Sequence, residues 1–170
     1  MARGLEALRR NLTKLEEEIG TKVALDMAMA GAILFREAAA ANLPGGKLGA
    51  EMAEQLVTSD RGSSNNLKLS VIVTSGHPLS ETIEWGSGIH TDPDAPPTKS
   101  GRQPYPIVPI NGKYLMWREL GKQIFAKKVM HPGNLPYRFL RLAMAEHGPE
   151  IIEYMIKAGQ QRMIEIGAHQ

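Results

Sequence analysis

Four groups of residues in this sequence are of types that could do chemistry, and each also has a plainer role. His90, Asp92 and Asp94 set an imidazole and two carboxylates two residues apart, and His77 or His131 could complete a divalent-metal site. That segment is rich in proline, where Asp closes turns and a histidine beside proline bonds turn backbone, so the expectation is no metal. Glu16-Glu17-Glu18 is a run of carboxylates, but glycoside-type hydrolysis needs a pair facing each other across a cleft. A solvated helix face is the simpler reading. Gly86-Ser87-Gly88 could be a nucleophile or anion loop, yet it stands in none of the phosphate-loop, dinucleotide or nucleophile-elbow patterns. There is no cysteine, which removes thiolate nucleophiles, thiolate metal sites and disulfides together. These residues predict no enzyme, no cofactor and no metal.

The fourth group is basic. The formal charge of +2 conceals an uneven distribution, because residues 99–141 hold nine Lys or Arg against Glu119 alone. Lys99, Arg102, Lys113, Arg118, Lys122, Lys127, Lys128, Arg138 and Arg141 are interleaved with Tyr105, Tyr114, Trp117, Phe125 and Tyr137. Such a segment could track a nucleic-acid backbone, and a nucleic-acid-binding module using residues 99–141 is the alternative reading. Alternating strands place about half the side chains on each face, so most of these aromatics are expected in the core. The stretch then becomes a surface for an acidic partner, or one that faces passing DNA.

The elements that must carry these residues suggest an α+β fold. At 170 residues, with 42% hydrophobic content, the chain suits a single domain over 1–170. Leu5, Leu8, Leu12, Leu15, Ile19, Val23, Met27, Leu34, Ala38 and Ala41 recur at helical spacing and predict a long helix over 1–42, with a possible break at Gly20-Thr21. Asn42-Leu43-Pro44-Gly45-Gly46 stops it. A short helix is expected over 47–57, a polar loop over 59–66 and a strand over Leu67–Thr74. Ser80–Trp85 reads as a shorter strand, and the proline-rich run 90–103 as an exposed loop. Further strands are expected at Tyr105–Ile110 and Lys113–Arg118, hinged on Asn111-Gly112, and at Gln123–Met130 after Leu120-Gly121. Residues 137–166 should be helical, with Pro149 opening the last helix. The expected architecture is an antiparallel β-sheet over 67–130, packed against a long N-terminal α-helix, plus C-terminal helices. The N-terminal stretch MARGLEALRRNLTKLEEE lacks the apolar core of a signal peptide. Val23–Phe35, broken by Asp26, is too short to span a bilayer. No membrane role is expected.

Two stretches together resemble a known family. One is Glu84-Trp85-Gly86-Ser87; the other is YPIVPINGKYLMWRELGKQIFAKKVMHPGNLPYRFLRLAM, with its Gly-Lys hairpin, His131-Pro132-Gly133 turn and Phe139-Leu140-Arg141 helix entry. The pattern is similar to that of the tail-completion, or head–tail joining, proteins of the neck of tailed bacteriophages, and covers roughly residues 20–145. The stretch after Pro44-Gly45-Gly46 departs from that family's usual pattern. The resemblance implies a structural virion protein, assembled in the host bacterial cytoplasm, forming a homo-oligomeric ring, hexameric by family habit. Its partners would be the head-side connector or stopper and the tail terminator or tail tube, with at most transient contact with DNA in the lumen. Lys127, Lys128, His131, Tyr137, Arg138, Arg141, Trp85 and Met27 are the expected interface residues, and Phe139 and Leu140 are expected in the core.

Overall fold

The computed structural model describes residues 2–62, 69–96 and 102–168. They form α1 (Ala2–Ala41), α2 (Lys47–Glu54), β1 (Leu56–Gly62), β2 (Leu69–Ser75), α3 (Ser80–Trp85), a 3-10 turn (Gly88–His90), β3 (Tyr105–Ile107), β4 (Leu115–Glu119), β5 (Lys122–Ala126), β6 (Val129–His131) and α4 (Phe139–Ala168). This is a mixed α+β protein with a long N-terminal helix packed on a small antiparallel sheet and a C-terminal helix. The chain divides into two compact units, residues 1–77 with 139–170, and residues 78–138.

In the first unit α1 is the scaffold. It runs unbroken through Gly20 and Thr21, where a break was expected as possible. A lone glycine costs a helix only about 1 kcal/mol, which its long run of Ala, Leu, Glu and Lys neighbours can absorb. α4 lies antiparallel to it: Gly31 faces Met155 and Ile151, Gly159 faces Met27, and Arg162 Nε reaches Asp26 Oδ2 at 3.0 Å. A Cβ on Gly31 would stand 2.5 Å from Met155 Cγ, so the small residue lets the helices come this close. Ala32, Ala38, Ala39, Ala143 and Ile151 are buried, as are Met52 of α2 and Leu56 of β1. β1 and β2 pair antiparallel from Leu56–Ser75 to Gly62–Leu69, and Val71 and Val73 share the face turned to the helices.

Several sequence expectations fail here for local reasons. Residues 59–62, expected in a loop, continue β1, because the β-branched β2 offers a ladder partner that overrides polar side chains. Pro149 does not open a helix; it sits inside α4, which is one 30-residue helix from Phe139. The proline lacks a donor for the preceding turn, a defect of about 3 kcal/mol that packing along α1 has to offset.

In the second unit Ser80–Trp85 is a helix and not a strand. Pro78 before it, Glu81 in its first turn and Gly86 after it, at φ +76°, are start and stop marks that outweigh the β-branched Thr82-Ile83. The strands do not form one sheet with those of the first unit: the described residues hold three two-stranded ladders. β3 pairs with β6 and, nested inside, β4 pairs with β5. Asn111-Gly112 therefore turns no hairpin. The turn is Leu120-Gly121, both at positive φ (+48° and +78°), the backbone that a two-residue hairpin matched to strand twist requires.

Candidate interaction surface

The two stretches that carry the family resemblance meet in the second unit. Ser87 N–H donates to the Asn134 carbonyl at 2.9 Å, Ile89 N–H to the Pro132 carbonyl at 2.8 Å, and Asn134 N–H returns a bond to Ser87 Oγ at 2.9 Å. Gly88 and Gly133 lie face to face between these bonds. A Cβ on Gly133 would be 1.8 Å from the Ser87 oxygen, and one on Gly88 2.1 Å from the Pro132 oxygen. Only glycine permits such an approach, and Gly133 holds φ +112°, a backbone region closed to other residues. Gly86-Ser87-Gly88 thus closes a turn-to-turn clasp, with the Ser87 hydroxyl accepting a backbone bond.

The clasp continues on both sides. Tyr137 N–H donates to the Ile83 carbonyl at 2.7 Å, and Asp92 N–H to the Trp85 carbonyl at 2.8 Å. Asp92 is only 2% exposed. Its Oδ2 meets Arg138 Nη2 at 2.8 Å, and its Oδ1 accepts from Asp94 N–H at 3.0 Å. A carboxylate this buried requires such partners, since an unpaired charge in that position costs several kcal/mol. Arg102 donates to the carbonyls of Asp92 and Pro93, pinning the described part of the proline-rich loop; residues 97–101 lie outside the described residues. His131 Nδ1 accepts from Gly133 N–H at 3.0 Å, which places the proton of a neutral ring on Nε2. Its ring lies 5.3 Å from that of Tyr105. Among the described residues no cluster of three or more His, Cys, Asp or Glu could hold a metal; Asp92 is occupied by Arg138 and backbone.

The expected interface residues separate into three situations. Trp85, His131 and Arg138 belong to the clasp, where each has a bond or contact within the unit. Met27 is turned to Gly159 inside the first unit, and Arg141 already has a partner. Lys127, Lys128 and Tyr137 are exposed. Phe139 is fully buried, as expected, and Leu140 is half-buried.

The expectation that most aromatics of the basic segment are core fails. Tyr114, Met116, Trp117 and Phe125 are all exposed, and Met116 and Phe125 are cross-strand partners at 62% and 59% exposure. Ile110 and Leu120, at 94% and 98%, stand almost wholly in solvent. Reading alternation as inside and outside assumes that a sheet has a covered face, and this two-stranded arm has none of its own. Lys113, Arg118, Lys122, Lys127 and Lys128 are exposed around it. The sequence signal that could have found the arm is apolar side chains on both alternations of β4 and β5. Nothing among known proteins adds to this geometry: the chain matches no protein-family model, and no curated protein or solved structure is significantly similar to it.

Proposed function

We propose that this protein is a structural component of the neck of a tailed bacteriophage, forming a ring that joins the head connector to the tail. The observation that carries the assembly part of this reading is the β4–β5 arm. A two-stranded hairpin is marginal in water on its own, and one that exposes Met116, Trp117 and Phe125 gains by being covered. The choice of assembly rests on the resemblance of Glu84–Ser87 and of the segment around His131-Pro132-Gly133, which the structure joins through backbone hydrogen bonds. Lys127 and Lys128 remain available for an acidic neighbour, while Arg138 serves Asp92 first.

The test is complementation. In a phage carrying the gene, disrupting it should leave filled heads and separate tails, and adding the purified protein to that lysate should join them. Joined, infectious particles without the protein would overturn the reading.

A second reading, a nucleic-acid-binding module, is favoured by the exposed Tyr114, Trp117 and Phe125 among lysines on the same arm. It expects the isolated chain to bind duplex or single-stranded DNA with an affinity that falls steeply as salt rises.

A further inference from the structure

Register divides the side chains of the β4–β5 arm between its two faces. Residues directly opposite on a ladder share a face, so Met116 and Phe125 lie on one side with Arg118 and Gln123. Gln123 Nε2 reaches Met116 Sδ at 2.6 Å on that side. Trp117 and Ile124 lie on the other, with Glu119 and Lys122 nearer the turn. Each face thus carries one apolar pair and, toward Leu120-Gly121, one cation. We propose that this ribbon enters a groove of duplex DNA, an inference that rests on the second reading above and not on the neck reading.

Three observations select this occupant. Residues 113–128 hold five Lys or Arg against Glu119 alone, and Glu119 stands across the ladder from Lys122, so the partner is a polyanion. A stacking platform for a single strand needs successive aromatics on one face, whereas the register puts Trp117 and Phe125 on opposite faces. A duplex groove instead encloses a ribbon on several sides at once, and the major groove, about 12 Å wide, admits a two-stranded one. There the apolar pairs meet sugars and thymine methyl groups, Arg118 and Lys122 meet phosphates from their two faces, and the exposed Leu120 leads. A lipid surface fits poorly, because a hairpin entering tip first buries Arg118, Glu119, Lys122 and Gln123 before its apolar pairs.

The test uses the full chain and the fluorescence anisotropy of a labelled duplex of about 20 base pairs, with its single strand and polyglutamate as rivals. The duplex should bind more tightly than the single strand, and polyglutamate should displace it poorly. Arg118→Gln with Lys122→Gln removes two phosphate contacts, so affinity should fall about tenfold and the logarithmic salt slope by about 2. Met116→Ala with Phe125→Ala should also weaken binding about tenfold, but at an unchanged slope, since apolar contacts release no counterions. Lys22→Gln, at an exposed position on α1, is the control and should alter neither quantity. Urea midpoints check that the variants fold, and the charge pair decides alone if the apolar pair does not. A single strand bound as tightly as the duplex overturns the inference. So does polyglutamate that competes as well as unlabelled duplex, which would point to an acidic protein. Duplex binding indifferent to the arm variants overturns it too, while leaving the nucleic-acid reading standing. Binding to neither nucleic acid removes that reading as well, and complementation still judges the neck.

Discussion

Replacing Gly133 with alanine tests whether the clasp holds the second unit together. Two costs add at this position: backbone strain, and the hydrogen bonds broken to relieve a clash. The backbone at φ +112° lies where a Cβ clashes with its own chain, about 1–3 kcal/mol. The added carbon would stand 1.8 Å from the Ser87 oxygen and 2.8 Å from Gly88 Cα. No rotamer change relieves that clash, because the obstructing atoms are backbone. The two turns must therefore part by more than 1 Å, a distance that breaks the Ser87–Asn134 and Ile89–Pro132 bonds, worth about 1 kcal/mol each. The expected loss is about 3–5 kcal/mol, a large share of the stability of a small domain. Gly121→Ala is the control: its φ of +78° is also positive, but nothing lies within 4 Å, so it should lose only about 1–2 kcal/mol. Urea unfolding followed by fluorescence in a Trp117→Phe background reads Trp85 alone, which adjoins the clasp. A Gly133→Ala protein no less stable than Gly121→Ala would refute the reasoning, since the close approach would then carry no energy.

Arg138→Met should destabilise by about 1–3 kcal/mol, below the value for breaking a fully buried pair because the guanidinium is half exposed; Lys127→Glu with Lys128→Glu should shift the unfolding midpoint hardly at all, and both are read in the same urea assay. Pro149→Ala should stabilise by about 1–3 kcal/mol, since α4 regains a backbone donor, and a thermal melt that is unchanged or lowered would count against reading Pro149 as a defect inside α4. The Lys157 ammonium, hydrogen-bonded to Glu153 and adding its charge, holds that carboxyl below its ordinary range, and the Glu153 carboxylate by the same bond and charge raises the ammonium in return. A depressed carboxyl contributes stability above its unfolded pKa and loses it as pH falls through the folded value. Both groups are fully exposed, so the expected signature is a low Glu153 titration midpoint by NMR that rises in Lys157→Gln, with no measurable change in unfolding.

Elements with a strong period were legible in the sequence. Apolar residues at helical spacing located α1, and the alternating, β-branched Leu67–Thr74 located most of β2, with Leu67 and Lys68 outside the described residues. What failed were choices between local signals of similar strength. Asn111-Gly112 is the better turn dipeptide by composition, yet Leu120-Gly121 makes the hairpin, because β4 and β5 are matched in length around it while β3 finds β6 from across the unit. Ser80–Trp85 is too short for its period to decide between helix and strand. For the candidate surface, the motif glycines were visible and their meeting was not, since Gly88 and Gly133 are brought together only by the fold. The exposed aromatics were misplaced because an arm without a covered face gives no inside for alternation to point to.

The nesting of β4–β5 within β3–β6 also orders events in time. β3 and β6 are separated by residues 108–128, a long loop to close as free chain. Once the inner hairpin has zipped from Leu120-Gly121, the freely moving length falls by more than half, and closure becomes easier by roughly 0.7 kcal/mol. Hairpins form in about 1–10 μs, so the inner pair can act as a template before the outer ladder and the clasp are made. Leu120, forced to φ +48°, is then a brake on that first step. Leu120→Gly should remove the brake and speed refolding of the second unit, while its unfolding rate changes little.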